Sequence, residues 1–134
     1  MAAQTVSISV GCQWTPPFAV LNSGNSSFNL SAQYNAQNVG QIDIPGATTT
    51  PTVFPIPFGT VASCKMLIIK NCMSSDIGVR FNGAVANEFQ VAPGGMVMVS
   101  MPQAPVTNPV TSISVVTTSV PGATEYVSFW VFGD

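Results

Sequence analysis

Residues 65–101 read KMLIIKNCMSSDIGVRFNGAVANEFQVAPGGMVMVSM. The stretch reads as four short strands joined by turns. Residues 65–70 are an apolar run with a lysine at each end. Residues 76–82 alternate, with Ile77, Val79 and Phe81 on one face and Asp76, Gly78, Arg80 and Asn82 on the other. Successive side chains along a strand point to opposite faces, so this spacing sends one face inward and leaves the other to water. Residues 88–92 repeat the pattern over a shorter span, with Phe89 and Val91 inward, and residues 96–101 close the set. Pro93-Gly94-Gly95 separates the last two strands. Proline pre-sets φ at the first central position of a tight turn, and glycine accepts the positive φ of the second.

The same period of two extends outward from this block. Toward the N-terminus, residues 5–10 place Val6, Ile8 and Val10 opposite Thr5, Ser7 and Ser9. Residues 27–35 place Phe28, Leu30, Ala32 and Tyr34 on one face, and 39–44 form a shorter strand that stops at Pro45-Gly46. Residues 11–27 contain Trp14, Pro16-Pro17 and the tract NSGNSS, and read as a long loop or arm. In residues 47–61, Pro51, Pro55 and Pro57 remove ladder donors, which excludes a central strand and leaves an extended arm or an edge. Its apolar groups, Val53, Phe54, Ile56 and Phe58, lie either on the chain's own core or on a neighbouring subunit.

Toward the C-terminus, residues 102–109 (PQAPVTNP) read as a rigid spacer, 110–117 as a strand and Pro121-Gly122 as a turn. The last strand, 125–132, carries Val127, Phe129 and Val131 on one face and Tyr126, Trp130 and Phe132 on the other. An antiparallel sheet normally needs one covered face. The second face, with Tyr126 and Trp130, therefore meets another subunit or the long loops. No segment keeps a helical period. Eight or nine short strands with Gly/Pro turns predict a single all-β domain over residues 1–134, an antiparallel β-sandwich or barrel, with arms at 11–27, 45–60 and 102–109.

Composition narrows the function classes. The 134 residues form one domain on size, and only 6% are charged, against about 25% in a typical soluble domain. Neutral polar side chains take over at the surface: 42 residues are Ser, Thr, Asn or Gln. Such a surface suits packing against copies of the chain or a larger assembly, and is also ordinary for a Ser/Thr-rich β-protein. Lys65, Lys70 and Arg80 are the only cations, too few and too scattered for sequence-independent nucleic-acid binding or for docking on an anionic membrane. No apolar run reaches transmembrane length, and residues 1–14 lack the basic region and unbroken apolar core of a cleavable signal. Cys12, Cys64 and Cys72 make an odd count without framework spacing, which fits synthesis in a reducing cytoplasm.

Candidate chemistry is sparse. The absence of histidine removes Ser-His-Asp and Cys-His nucleophile arrangements and His-ligated zinc. Cys64 and Cys72 read as core or near-core residues rather than metal ligands. Asp76 and Glu88 flank the Asn82-Gly83 turn and are the one carboxylate pair to weigh for glycoside hydrolysis, though each sits at the outward end of a strand. Gly94-Gly95 precedes a strand, not a helix, and is no phosphate loop. No catalytic residue, metal or cofactor is expected. Trp14, Tyr34, Tyr126 and Trp130 suit either a sugar platform or interface anchors, and the interface reading ranks first.

The run MLIIKNCMSSDIGVRFNG, followed by EFQVAPGGMVMVSMP and a final strand ending in WVFGD, resembles small all-β structural proteins of tailed bacteriophages. Decoration (cement) proteins of phage heads and small β-sandwich modules of phage tails share this layout. The resemblance covers residue 65 onward, about half the chain. It implies a jelly-roll-like sandwich that assembles as a homotrimer on the capsid surface. Its partner is then the major capsid protein of a phage head, and its location the virion after synthesis in the bacterial cytoplasm. It implies no catalytic residue. Under this expectation Trp14, Phe18, Phe54, Ile56 and Phe58, with Tyr126 and Trp130, are the contact residues. Each could instead pack over the end of its own sandwich. The rival functions are a tail or fibre module that binds host-surface glycan or another tail protein, and a capsid-forming jelly roll.

Overall fold

The structure, a computed structural model, describes residues 3–14, 24–103 and 107–134. Among these residues ten strands run in order: β1 (Gln4–Trp14), β2 (Gly24–Tyr34), β3 (Ala36–Ile44), β4 (Thr52–Ile56), β5 (Cys64–Asn71), β6 (Ile77–Phe81), β7 (Phe89–Val91), β8 (Met96–Ser100), β9 (Ile113–Thr117) and β10 (Glu125–Gly133). Two four-stranded antiparallel sheets, ordered β3-β10-β5-β8 and β4-β9-β6-β7, pack face to face as an all-β sandwich. Strands β1 and β2 form a separate two-stranded hairpin.

The pairings of the eight sandwich strands are nested. The innermost pair is β6 with β7, then β5 with β8, β4 with β9, and β3 with β10. Two further ladders, β10 with β5 and β6 with β9, close the nest into its two sheets. The alternation that predicts each strand also places the core. Val127, Phe129 and Val131 of β10 face Leu67 and Ile69 of β5 along the inner surface, against Ile77, Val79 and Val115 of the other sheet. All eight are at most 2% exposed.

The expected turns have the expected chemistry. Gly94 lies at φ 74°, with the Gly95 N–H donating to the Ala92 carbonyl at 2.9 Å. Gly122 lies at φ 84°, and the Ala123 N–H reaches the Val120 carbonyl at 3.2 Å. In both, proline holds the preceding position.

One strand expectation changes. Residues 11–27 are not one long arm: β1 continues to Trp14 and β2 begins at Gly24, while residues 15–23 lie outside the described residues. Gly11, Asn25 and Ser26 are poor strand formers, but each sits in an unbroken cross-strand register, opposite Ser27, Gln13 and Cys12. Residues 52–56 of the proline-rich segment take the edge alternative: they form the edge strand β4, paired to β9. Phe89 shares the inward face with its cross-strand partner Val79 but sits at the sheet edge, where the core does not cover it. It is 39% exposed and leans edge-on against Phe81, with ring centroids 5.9 Å apart, while Val91 fills the core position. Of the 102–109 spacer, residues 104–106 lie outside the described residues.

Candidate assembly surface

The hairpin is amphipathic across its two faces. Its register sets Val6 opposite Ala32 and Ile8 opposite Leu30, and residues directly opposite share a face. The other face carries Thr5, Ser7, Ser9, Asn29, Ser31 and Gln33, all exposed and uncharged. There the Ser9 hydroxyl donates to Asn29 Oδ1 at 2.8 Å.

The apolar face lies over the outward side of the β3-β10-β5-β8 sheet, with β2 packed against β10, β5 and β8. Tyr34 anchors the base of the hairpin. It is 9% exposed, its ring meets Phe132 edge-on at 5.1 Å, and its hydroxyl donates to Gln4 Oε1 at 2.9 Å. Ala32 and Met66 are buried there too, outside the main core, with Met66 opposite Phe132 across the β5–β10 ladder. This second core explains why β5 is buried on both sides at Met66 and Leu67. It also shows what covers part of the second face of β10, as the apolar residues there require.

Farther from that base the hairpin stands off the sheet. A groove of about 560 Å³ opens between Ile8 and Val10 on the hairpin and Ile68, Met96, Met98 and Trp130 on the sheet. Lys70 sits on its wall, and Met96 is 56% exposed at its edge. A second, polar hollow of about 500 Å³ lies beside the hairpin base, lined by Thr5, Ser31, Gln33 and Lys65. There Lys65 is paired with the Asp134 carboxylate, Nζ to Oδ2 at 2.6 Å.

The residues expected at contacts separate into distinct environments. Ile56 is 4% exposed and belongs to the core. Phe54 and Phe58 are half-buried and pack against that core from its β4 edge. Tyr126 is 42% exposed on the outward face of β10, opposite Asp43, and Trp130 lines the groove. Trp14 closes β1 opposite Gly24, and Phe18 lies outside the described residues. Tyr34, packed under the hairpin, is withdrawn from any sugar platform with Tyr126 and Trp130. The groove itself needed the hairpin to be placed over the sheet, and no local sequence signal marks that placement.

The chemical candidates stay apart. Among the described residues no group of three His, Cys, Asp or Glu side chains could hold a metal ion. Cys64 is buried, and desolvation pushes its thiol up to about 11, which disfavours the reactive thiolate. Cys72 is half-buried, with Sγ 3.9 Å from the Ser128 hydroxyl. Asp76 and Glu88 are both exposed. No helix among the described residues is long and apolar enough to cross a membrane. No known protein family, curated protein or solved structure matches the chain.

Proposed function

We propose that the chain is a non-enzymatic structural protein of a virion, a decoration protein that binds the assembled head of a tailed phage and stabilises it. The observation that carries this reading is the hairpin. It lies outside the sandwich, with Val6, Ile8, Val10 and Leu30 half-buried on one face and small neutral groups on the other. A face of this kind gains by further burial, at roughly 25 cal/mol per Å² of apolar surface removed from water. The nested strand order adds support by analogy of architecture, since double-sheet jelly rolls of eight strands are used in viral capsids and also in lectins. The near-absence of charge suits a protein held in a lattice of neighbours.

The test is co-sedimentation of the purified chain with heads of the encoding phage that have been stripped of accessory proteins. Saturable binding is expected. The double substitution Ile8→Ser with Val10→Ser is expected to weaken it at least tenfold. An absence of binding by the unaltered chain refutes the proposal. A tail or fibre module that binds glycan is the second reading. It rests on Tyr126, exposed beside Asp43 and Gln41, an aromatic face next to groups that bond sugar hydroxyls. Binding to host polysaccharide without binding to heads selects it.

A further inference from the structure

The sandwich has four edge strands, and three of them are blunted. β7 is three residues long. β8 has five residues and is flanked by both β7 and β2. β4 has five residues and carries Pro55. Short length, cover and proline are the usual protections of an open edge against pairing with another chain. β3 has none of them. It is nine residues long, has no proline, lysine or arginine, and carries a single charge, Asp43. Among the described residues no main-chain to main-chain bond reaches residues 36–44 from outside β10, and the Pro57 carbonyl meets only the Asn38 side chain, Nδ2 to O at 2.6 Å, on the inward-facing positions of the strand.

The pleat shows which groups this edge presents. The Met101 N–H donates to the Lys65 carbonyl, and the Asn71 N–H to the Gly95 carbonyl. Odd-numbered residues of β5 therefore bond toward β8, and even-numbered ones toward β10. Because ladder bonds alternate along an antiparallel strand, Ile68 bonds Trp130, and the odd residues of β10 turn toward β3. Their partners there are Asn38, Gly40 and Ile42, opposite Val131, Phe129 and Val127. The N–H and C=O groups of Gln37, Val39, Gln41 and Asp43 are left pointing away from the sheet. The same reasoning on β4 puts the missing N–H of Pro55 on its open edge: Asn82 N–H bonds the Ser112 carbonyl, so β9 gives its odd residues to β4 and Pro55 faces out.

We propose that β3 is a homodimerisation edge, pairing antiparallel with β3 of a second copy about a two-fold axis at Gly40. In this register Gln37 lies opposite Asp43 of the other copy, and Val39 opposite Gln41. Every outward N–H and C=O then meets a partner. The occupant is a second copy because the edge complements itself: the only charge on the strand meets an amide donor rather than the other Asp43. Val39, 48% exposed, gains an apolar-to-amide contact beside it. An isologous edge closes at two copies. The resulting oligomer is a dimer with one continuous eight-stranded sheet, unlike the trimer that the phage resemblance implies. The pairing does not depend on head binding.

Gln41→Pro tests it. This substitution removes an outward N–H and no bond to β10, so the fold keeps its own ladder. Light scattering from low micromolar to near-millimolar concentration is expected to show the mass of the unaltered chain rising from 13.9 kDa to twice that value. Gln41→Pro is expected to weaken association roughly thirtyfold, because one N–H is lost from each copy and each is worth about a fivefold factor. Val39→Lys, an exposed substitution that places a cation on the edge, is expected to do the same and serves if the proline variant fails to fold. A single-chain mass at every concentration, a trimer, or a dimer that persists in the folded variants overturns the proposal.

Discussion

Asn71→Ala is expected to be among the most damaging single substitutions in the protein, although Asn71 touches no surface. The side chain is 0% exposed at the end of β5. Its Nδ2 donates to the Ser75 carbonyl at 2.8 Å and the Val91 carbonyl at 2.9 Å, and its Oδ1 accepts from the Met73 N–H at 2.9 Å. One amide thus ties the loop after β5 to β7 in the opposite sheet. Alanine removes three hydrogen bonds, each worth about 1 kcal/mol net, and leaves the partner groups without their donor or acceptor, at about 1–3 kcal/mol for each that water cannot reach. Water reaches Ser75, which is half-buried. The expected loss is about 3–5 kcal/mol, a large part of the ~5–15 kcal/mol that holds a domain together. Urea unfolding followed by tryptophan fluorescence, with the slope checked for constancy, measures it. Asn71→Asp is the control: it keeps the acceptor and sets a carboxylate against two carbonyls. Burial and those carbonyls raise its folded pKa above the unfolded value near 4, so this variant is expected to gain stability relative to the parent as pH falls. A loss below about 1 kcal/mol for Asn71→Ala refutes the view that this amide organises the end of the sandwich.

Two further outcomes follow from the same packing. Phe54→Ser combined with Phe58→Ser is expected to cost about 3–5 kcal/mol in urea unfolding, since each ring is half-buried on the core and a fully buried Phe→Ala change alone costs about that much. A stable double variant with impaired assembly would return both rings to the contact surface. Glu125 is held below its ordinary value of 4.5, first by hydrogen bonds from Ser74 and then by the Val120 N–H. A lowered folded pKa adds stability that is present above the unfolded value and is lost as pH falls through the folded one. Glu125→Gln is therefore expected to flatten the acid limb of the stability profile below about pH 4.5, and an unchanged limb contradicts the assignment.

Much of the sandwich was legible in local sequence because each signal acts locally. Ile77 and Val79, and Val127, Phe129 and Val131, alternate with the pleat, and Pro93-Gly94 and Pro121-Gly122 carry the backbone angles their turns require. The hairpin beyond Gly11 was hidden because Asn25, Ser26 and Ser27 have weak strand preference and are held by cross-strand bonds, which is a non-local cause. The side of Phe89 was legible, opposite Val79, but its exposure was not, because β7 lies at the sheet edge where the core no longer reaches. The candidate surface was legible only in its parts. Trp130 and Met98 are visible in the sequence, but the groove exists because Tyr34 seats the hairpin on Phe132. The open edge of β3 is likewise a property of strand order.

The nesting of strand pairs also sets a schedule for synthesis. β3 and β5 lie on either side of β10, and neither pairs with the other. A growing chain that has emitted β3 through β9 therefore has two strands of one sheet waiting for a third, with backbone groups unpaired on the sides that face each other. Such a topology has long sequence separations and folds slowly. Truncation before residue 125 removes the strand that joins β3 to β5, whereas removal of the hairpin before residue 35 leaves all eight nested strands in place. The order in which the ribosome delivers the strands thus makes the late segment the one that commits the whole domain.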